Sequence, residues 1–122
     1  MCMCNKRIAI KKVLAKEFTV YNIGILEKTA LLSLPFVILE MTGERRAMRS
    51  CFITFSVFIY APIKSPFILD ESEKKVRKLL HKKRIETGGV AFWVECVASS
   101  ADFVSEKIQA VGKILEFKIP SF

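Results

Sequence analysis

With a single histidine, His81, the chain has almost nothing from which to build a nucleophile–base pair. A Ser-His-Asp or Cys-His arrangement would have to use a residue flanked by Lys78, Lys82 and Lys83. Those cations supply no carboxylate to orient a base. His81 therefore reads as an exposed helix residue. Carboxylates are scarce as well, 12 against 20 Lys and Arg. Glu71, Glu73, Glu86, Glu95 and Glu116 are scattered among basic neighbours and form no acid–base couple. No Gly-Lys-Ser/Thr follows Gly88-Gly89, and the pair opens a strand, so a phosphate cradle would have no helix dipole to use. The sequence points away from an enzyme.

Long apolar runs are missing too. The longest stretch without a charge is the 14 residues from Ser50 to Ile63, and it contains Pro62. A spanning helix needs roughly 18–20, so no membrane partner is expected. The opening Met-Cys-Met-Cys-Asn-Lys-Arg has no apolar core of a secretory signal. Four cysteines without an export signal imply a reducing compartment and thiols, not disulfides. Cys2 and Cys4 sit at the chain end; Cys51 and Cys96 lie in apolar runs. A Cys51–Cys96 bridge would fit neighbouring strands, but the compartment argues against it. Zinc asks for four ligands with compact knuckles, and His81 is the only additional classical ligand. No metal and no cofactor are expected.

What the chain does have is apolar surface. Apolar residues make up 52% of it, with 10 Phe, 2 Tyr and 1 Trp, which excludes intrinsic disorder. At 122 residues one domain spanning 1–122 is expected. A unit of that size hides only about two thirds of its unfolded surface, so part of the surplus is expected to meet another subunit. The net charge of +8 suits nucleic acid, an anionic surface or an acidic protein, without choosing among them.

Periodicity orders the elements. Asn5 can cap a helix to about Glu17, with Ile10, Val13, Leu14 and Phe18 on one stripe. Thr19–Ser33 is ambiguous, broken by Asn22 and Gly24. Pro35 opens a strand from Phe36 to Met41, and Thr42 to Arg49 reads as a polar, basic connection. Cys51–Tyr60 is the clearest strand: Cys51, Ile53, Phe55, Val57 and Ile59 share one wholly apolar face, Phe52, Thr54, Ser56, Phe58 and Tyr60 the other. Asp70 with Glu73 resembles a capping box opening a helix to about Ile85. Two strands follow, Val90–Val97 and Lys113–Ile119, and between them Ser99 to Gly112 reads as a long polar loop or an extended hairpin arm with room for one helical turn. The order α-β-β-α-β-β predicts an α+β fold, a mostly antiparallel four-stranded sheet with two helices packed on one face.

Two surfaces stand out. The helix 70–85 carries Lys74, Lys75, Arg77, Lys78, Lys82, Lys83 and Arg84, partly offset by Glu71–Lys75 and Glu73–Arg77 pairs at i,i+4. A small basic nucleic-acid-binding module using this helix is one functional reading. No aromatic is interleaved for base stacking, and the two helices are not adjacent in sequence as a helix-turn-helix requires. The aromatics Phe52, Phe58 and Tyr60, on the strand face away from the core, are the candidate subunit interface, the alternative being that the chain's own Thr19–Ser33 segment covers one of them.

The order and spacing of several strings resemble the tail terminator proteins of long, non-contractile-tailed bacteriophages, the minor tail protein U type. Leu34-Pro35-Phe36-Val37-Ile38-Leu39-Glu40-Met41-Thr42-Gly43 is similar to the family's first strand, which follows a Pro and ends in a Thr-Gly turn. Phe52–Pro62 resembles its long second strand, and Asp70-Glu71-Ser72-Glu73 the acidic start of its second helix. Cys96–Phe103 is similar to the end of its third strand and Gly112–Ile119 to its closing strand. The resemblance covers about Asn5 to Phe122, although the basic charge departs from the more acidic type. It implies a non-enzymatic virion protein of the tail or neck, assembled in the host cytoplasm. Such a protein forms a ring, hexameric in the family, that caps the tail tube protein, stops its polymerisation and offers a surface to head-tail connector proteins. DNA would meet it only as the passing genome. On charge, Glu44, Arg45, Arg46 and Arg49 are the expected tube or connector contacts.

Overall fold

A computed structural model describes residues 3–22, 35–47, 50–87 and 90–121. In chain order the elements are α1 (Met3–Leu14), β1 (Thr19–Asn22), β2 (Phe36–Ala47), β3 (Ser50–Pro62), α2 (Phe67–Leu80), β4 (Lys83–Thr87), β5 (Val90–Ser99), β6 (Phe103–Ser105), a 3-10 turn (Glu106–Ile108) and β7 (Ala110–Ser121). The strands form one sheet in the order β1-β2-β3-β7-β5-β4, with β6 paired to β7 beside β5. The sheet curls into a half-barrel. This overturns the expected four-stranded α-β-β-α-β-β sheet. Among the described residues there are seven strands, and β1 runs parallel to β2 where all the other pairings are antiparallel.

The three unforeseen strands are short. β1 is Thr-Val-Tyr-Asn, β6 is Phe-Val-Ser, and β4 is Lys-Arg-Ile-Glu-Thr with one apolar residue, Ile85, turned into the core. Strands this brief carry too little alternation to announce themselves. The helix expected over 70–85 is shifted. It starts at Phe67, because Pro66 (φ −64°) already holds a helical φ, and it stops at Leu80. His81 is extended, Lys82 is left-handed at φ 57°, and the chain turns back into β4. The expected Thr42–Arg49 connection is also replaced, since β2 continues to Ala47. Its Thr-Gly pair is not a turn. Between Met41 and Gly43 the register slips by one residue against β3, and Gly43 takes φ 134°, a conformation that favours glycine. Of the two readings of Ser99–Gly112, the hairpin arm with a helical turn is the nearer: the segment holds β6, the 3-10 turn and the start of β7, with β6 antiparallel to β7.

One sheet face carries both helices. Ile10 and Leu14 of α1 and Leu69, Val76 and Leu80 of α2 pack on Val37, Leu39, Ile53, Phe55, Val57, Ile59, Leu115, Phe117 and Ile119. These are the alternate residues of β2, β3 and β7, so the period-2 pattern buries one complete face. Phe55 and Phe117, opposite each other in register, stack at 5.1 Å. Lys6 is buried with the same layer, its Nζ 5.9 Å from the centroid of the Phe92 ring, close enough for a cation–π contact.

Candidate functional site

Two features of the described residues combine polar chemistry with tertiary placement. The first is a charged clasp holding α2 on the sheet. The Glu73 carboxylate accepts hydrogen bonds from Lys113 Nζ (2.8 Å) and from Arg77 Nε (3.0 Å), and Lys113 also lies 3.2 Å from Asp102. Burial alone would raise the Glu73 carboxyl, but the two donors outweigh it and hold it below its ordinary value. The hydrogen bond to Glu73 in turn raises Lys113. Beside the clasp, Arg77 Nη1 reaches Cys96 Sγ at 3.5 Å, and burial pushes the Cys96 thiol up in spite of that cation. A raised thiol is a poor nucleophile, so the cluster has the chemistry of a structural tie.

His81 belongs to the same junction. It caps the C-terminus of α2, its N–H bonded to the Arg77 carbonyl (2.7 Å), and its Nδ1 accepts the Cys96 backbone N–H at 2.9 Å. This corrects the expectation of an exposed helix histidine: the ring is half-buried and tethers the helix end to β5. Lys82 N–H adds a bond to the Val94 carbonyl at 2.8 Å. Among the described residues no group of three or more His, Cys, Asp or Glu could hold a metal ion. No helix of the described residues is long and apolar enough to cross a membrane.

The second feature is the sheet face turned away from the helices. Near β6 it is closed. Tyr21, Phe36, Tyr60 and Phe103 form an aromatic ladder from β1 to β6: Tyr21 meets Phe36 edge-on at 5.1 Å, Phe36 stacks on Tyr60 at 5.1 Å, and Phe103 meets Tyr60 edge-on at 5.8 Å. Gly112 lies between Tyr60 and Phe103 in register, and a Cβ there would come within 2.6 Å of the Phe103 ring. The missing side chain is thus the seat of that ring. Tyr60 is 4% exposed, and burial raises its phenol. The placement of Tyr60 on an open face is therefore corrected. Phe58 packs half-buried against the same cluster.

At the other end the face is open. Thr42, Phe52, Thr54, Val97 and Glu116 line a groove of about 320 Å³ floored by the sheet at Phe55 and Phe117. Two bulges frame it. At one, Thr42 Oγ1 donates to Thr54 Oγ1 at 2.8 Å; at the other, a register slip between Cys96 and Ala98 leaves Val97 48% exposed. Bulges of this kind re-aim side chains beside functional surfaces. On the neighbouring strands Trp93 is 58% exposed, directly across from Arg84, which pairs with Glu86. Lys118 faces Glu95 at 3.7 Å.

Of the residues singled out from sequence, Phe52 lines this open groove, whereas Phe58 and Tyr60 lie in the closed half. Glu44, Arg45 and Arg46 stand in β2 opposite Ile53, Phe52 and Cys51. Arg49 lies outside the described residues, as does Cys2. Trp93 and Val97 were missed, although Trp93 alternates with the buried Phe92 and Val94 and so had to face away from the core.

No protein-family model matches the chain, and no curated protein is similar to it. Its fold is similar to that of a solved structure whose name gives only a sequence identifier. The TM-score is 0.56 at 15% identity, and the match covers 100% of this chain and 98% of that one. At that identity the likeness shows the fold alone.

Proposed function

We propose that the chain is a structural subunit of a bacteriophage tail, a terminator or tail completion protein of the virion neck. In this reading copies close into a ring, six in the family it resembles. The ring caps the tube, ends its growth and presents its other side to the connector. The observation that carries this reading is the open half of the outer sheet face. Phe52 and Val97 line the groove, Trp93 is exposed farther along β5, and none of the three belongs to the chain's own core. Apolar surface of that kind on a small basic domain calls for a covering surface, and a head-to-tail contact repeated around an axis closes into a ring. The contact residues proposed for the subunit interface are accordingly Phe52, Trp93 and Val97. Glu44, Arg45 and Arg46 remain the proposed tube or connector contacts on β2.

The test is mass and shape in solution. Light scattering with negative-stain electron microscopy is expected to show rings, and added rings are expected to stop tail-tube subunits from elongating. A chain that stays monomeric at high concentration and leaves tube growth unchanged overturns the reading.

A further inference from the structure

The opposite side of the molecule carries a surface that no single stretch of sequence contains. α1 and α2 pack against each other on the same sheet face, and α1 also lies on β4. Their outward sides therefore form one layer. From α1 it exposes Arg7, Lys11 and Lys12, with Lys16 in the turn that follows; from α2 it exposes Lys74, Lys75 and Lys78. Lys82 and Lys83, exposed at the junction of α2 with β4, extend it. Glu73 does not neutralise these lysines: it is held in the clasp, on Arg77 as the i,i+4 spacing predicts and on Lys113 of the sheet. Only Glu17, Asp70 and Glu71 remain exposed on these segments to oppose the cations.

We infer that the paired outer faces of α1 and α2 form one binding surface for the phosphate backbone of nucleic acid, without base selection. The residue types decide the partner. Lysine is depleted in protein–protein interfaces, where aromatic and arginine anchors dominate, and this layer is mostly lysine. Lysine binds phosphate as a point charge without the bidentate fork of arginine, which suits non-selective neutralisation of a backbone and release of its condensed counterions. No aromatic stands among the cations to stack a base, so sequence-independent duplex binding is the fit. The inference does not rest on the ring reading, since it concerns the other side of the sheet.

The experiment is fluorescence anisotropy of the full chain with a labelled duplex of about 30 base pairs across salt. Contacts from both helices predict a loss of about 100-fold or more in affinity between about 50 and 200 mM salt. Lys11→Gln/Lys12→Gln/Lys16→Gln and Lys74→Gln/Lys75→Gln/Lys78→Gln are each expected to weaken binding and to flatten the log–log salt slope by about 2–3. Circular dichroism checks that both variants fold. Should either triple fail to fold, Lys11→Gln and Lys75→Gln singly are expected to lower the slope by about 0.9 each. Absence of binding at about 50 mM salt overturns the inference, as does an effect confined to the α2 set. Polyglutamate of similar length binding as tightly as DNA overturns it in favour of an acidic protein.

Discussion

The two halves of the outer sheet face share strands and differ in what covers them. In the closed half, β6 lays Phe103 over Gly112, and the Tyr21–Phe36–Tyr60–Phe103 ladder seals the surface. In the open half the corresponding positions hold Thr54, Glu116 and Val97, and no described segment crosses them. Phe52 and Tyr60 sit on the same face of β3, eight residues apart, yet one lines a groove and the other is interior. Burial on this face is decided by the neighbouring segment, not by the strand that bears the side chain.

The sharpest way to break that comparison is to truncate an aromatic on each side. Tyr60→Ala is expected to cost about 3–5 kcal/mol in urea unfolding, because it leaves a cavity inside the ladder. Phe52→Ala is expected to cost about 1.5 kcal/mol or less and to weaken self-association. Equal costs would show that the groove is as interior as the ladder. Gly112→Ala comes next. Its Cβ would collide with the Phe103 ring, and overpacking of this kind costs about 1–3 kcal/mol. In a double-mutant cycle with Phe103→Leu the two changes are expected to be non-additive, with the second partly relieving the first.

The clasp on the helix side gives a smaller, pH-dependent effect. Glu73→Gln is expected to lower stability near neutral pH by about 1–2 kcal/mol, since a partly exposed charge pair is screened. Glu73 is held below its unfolded value in the folded chain, so its contribution is present above the ordinary carboxylate range and lost as pH falls through the folded value. Lys113 is raised, so its contribution is present below the ordinary lysine value and lost as pH rises through the folded one. The Gln variant is expected to flatten the acid limb of a stability–pH curve; an unchanged acid limb would show that the clasp contributes nothing. The smallest effect is Trp93→Ala, within about 1 kcal/mol of monomer stability for an exposed cross-strand residue. The same substitution is expected to reduce assembly mass in light scattering, and an unaltered mass would move the interface elsewhere.

Much of the inner architecture was legible. The alternation of β3 named the buried set Ile53, Phe55, Val57 and Ile59, and that of β7 named Leu115, Phe117 and Ile119. Both strands are long and bury one entire face, so the period is strong. The short strands were not legible, because a four-residue β1 and a three-residue β6 owe their pairing to β2 and β7. β4 was read into the end of the helix because Lys83 and Arg84 continue its charge pattern. A Gly-Gly pair between Thr87 and Val90, which pair with each other, was the hairpin signal that could have separated them. On the candidate site, Phe52 was found from sequence, while Trp93 and Val97 were not. Val97 is exposed through a register slip, and a slip leaves no mark in the pattern of residue types.

The sequence by itself determined the apolar faces of the long strands, the inward stripes of the two helices, the excess of positive charge and the poverty of catalytic groups. Those properties follow from residue type and local period, which the chain carries wherever it goes. Only the tertiary structure decided which half of the outer face lies open, where Glu73 spends its charge, and that the lysines of α1 and α2 share one layer. Each of these depends on which distant segments meet, and that is settled by the pairing of β6 with β7 and the packing of both helices on one curled sheet.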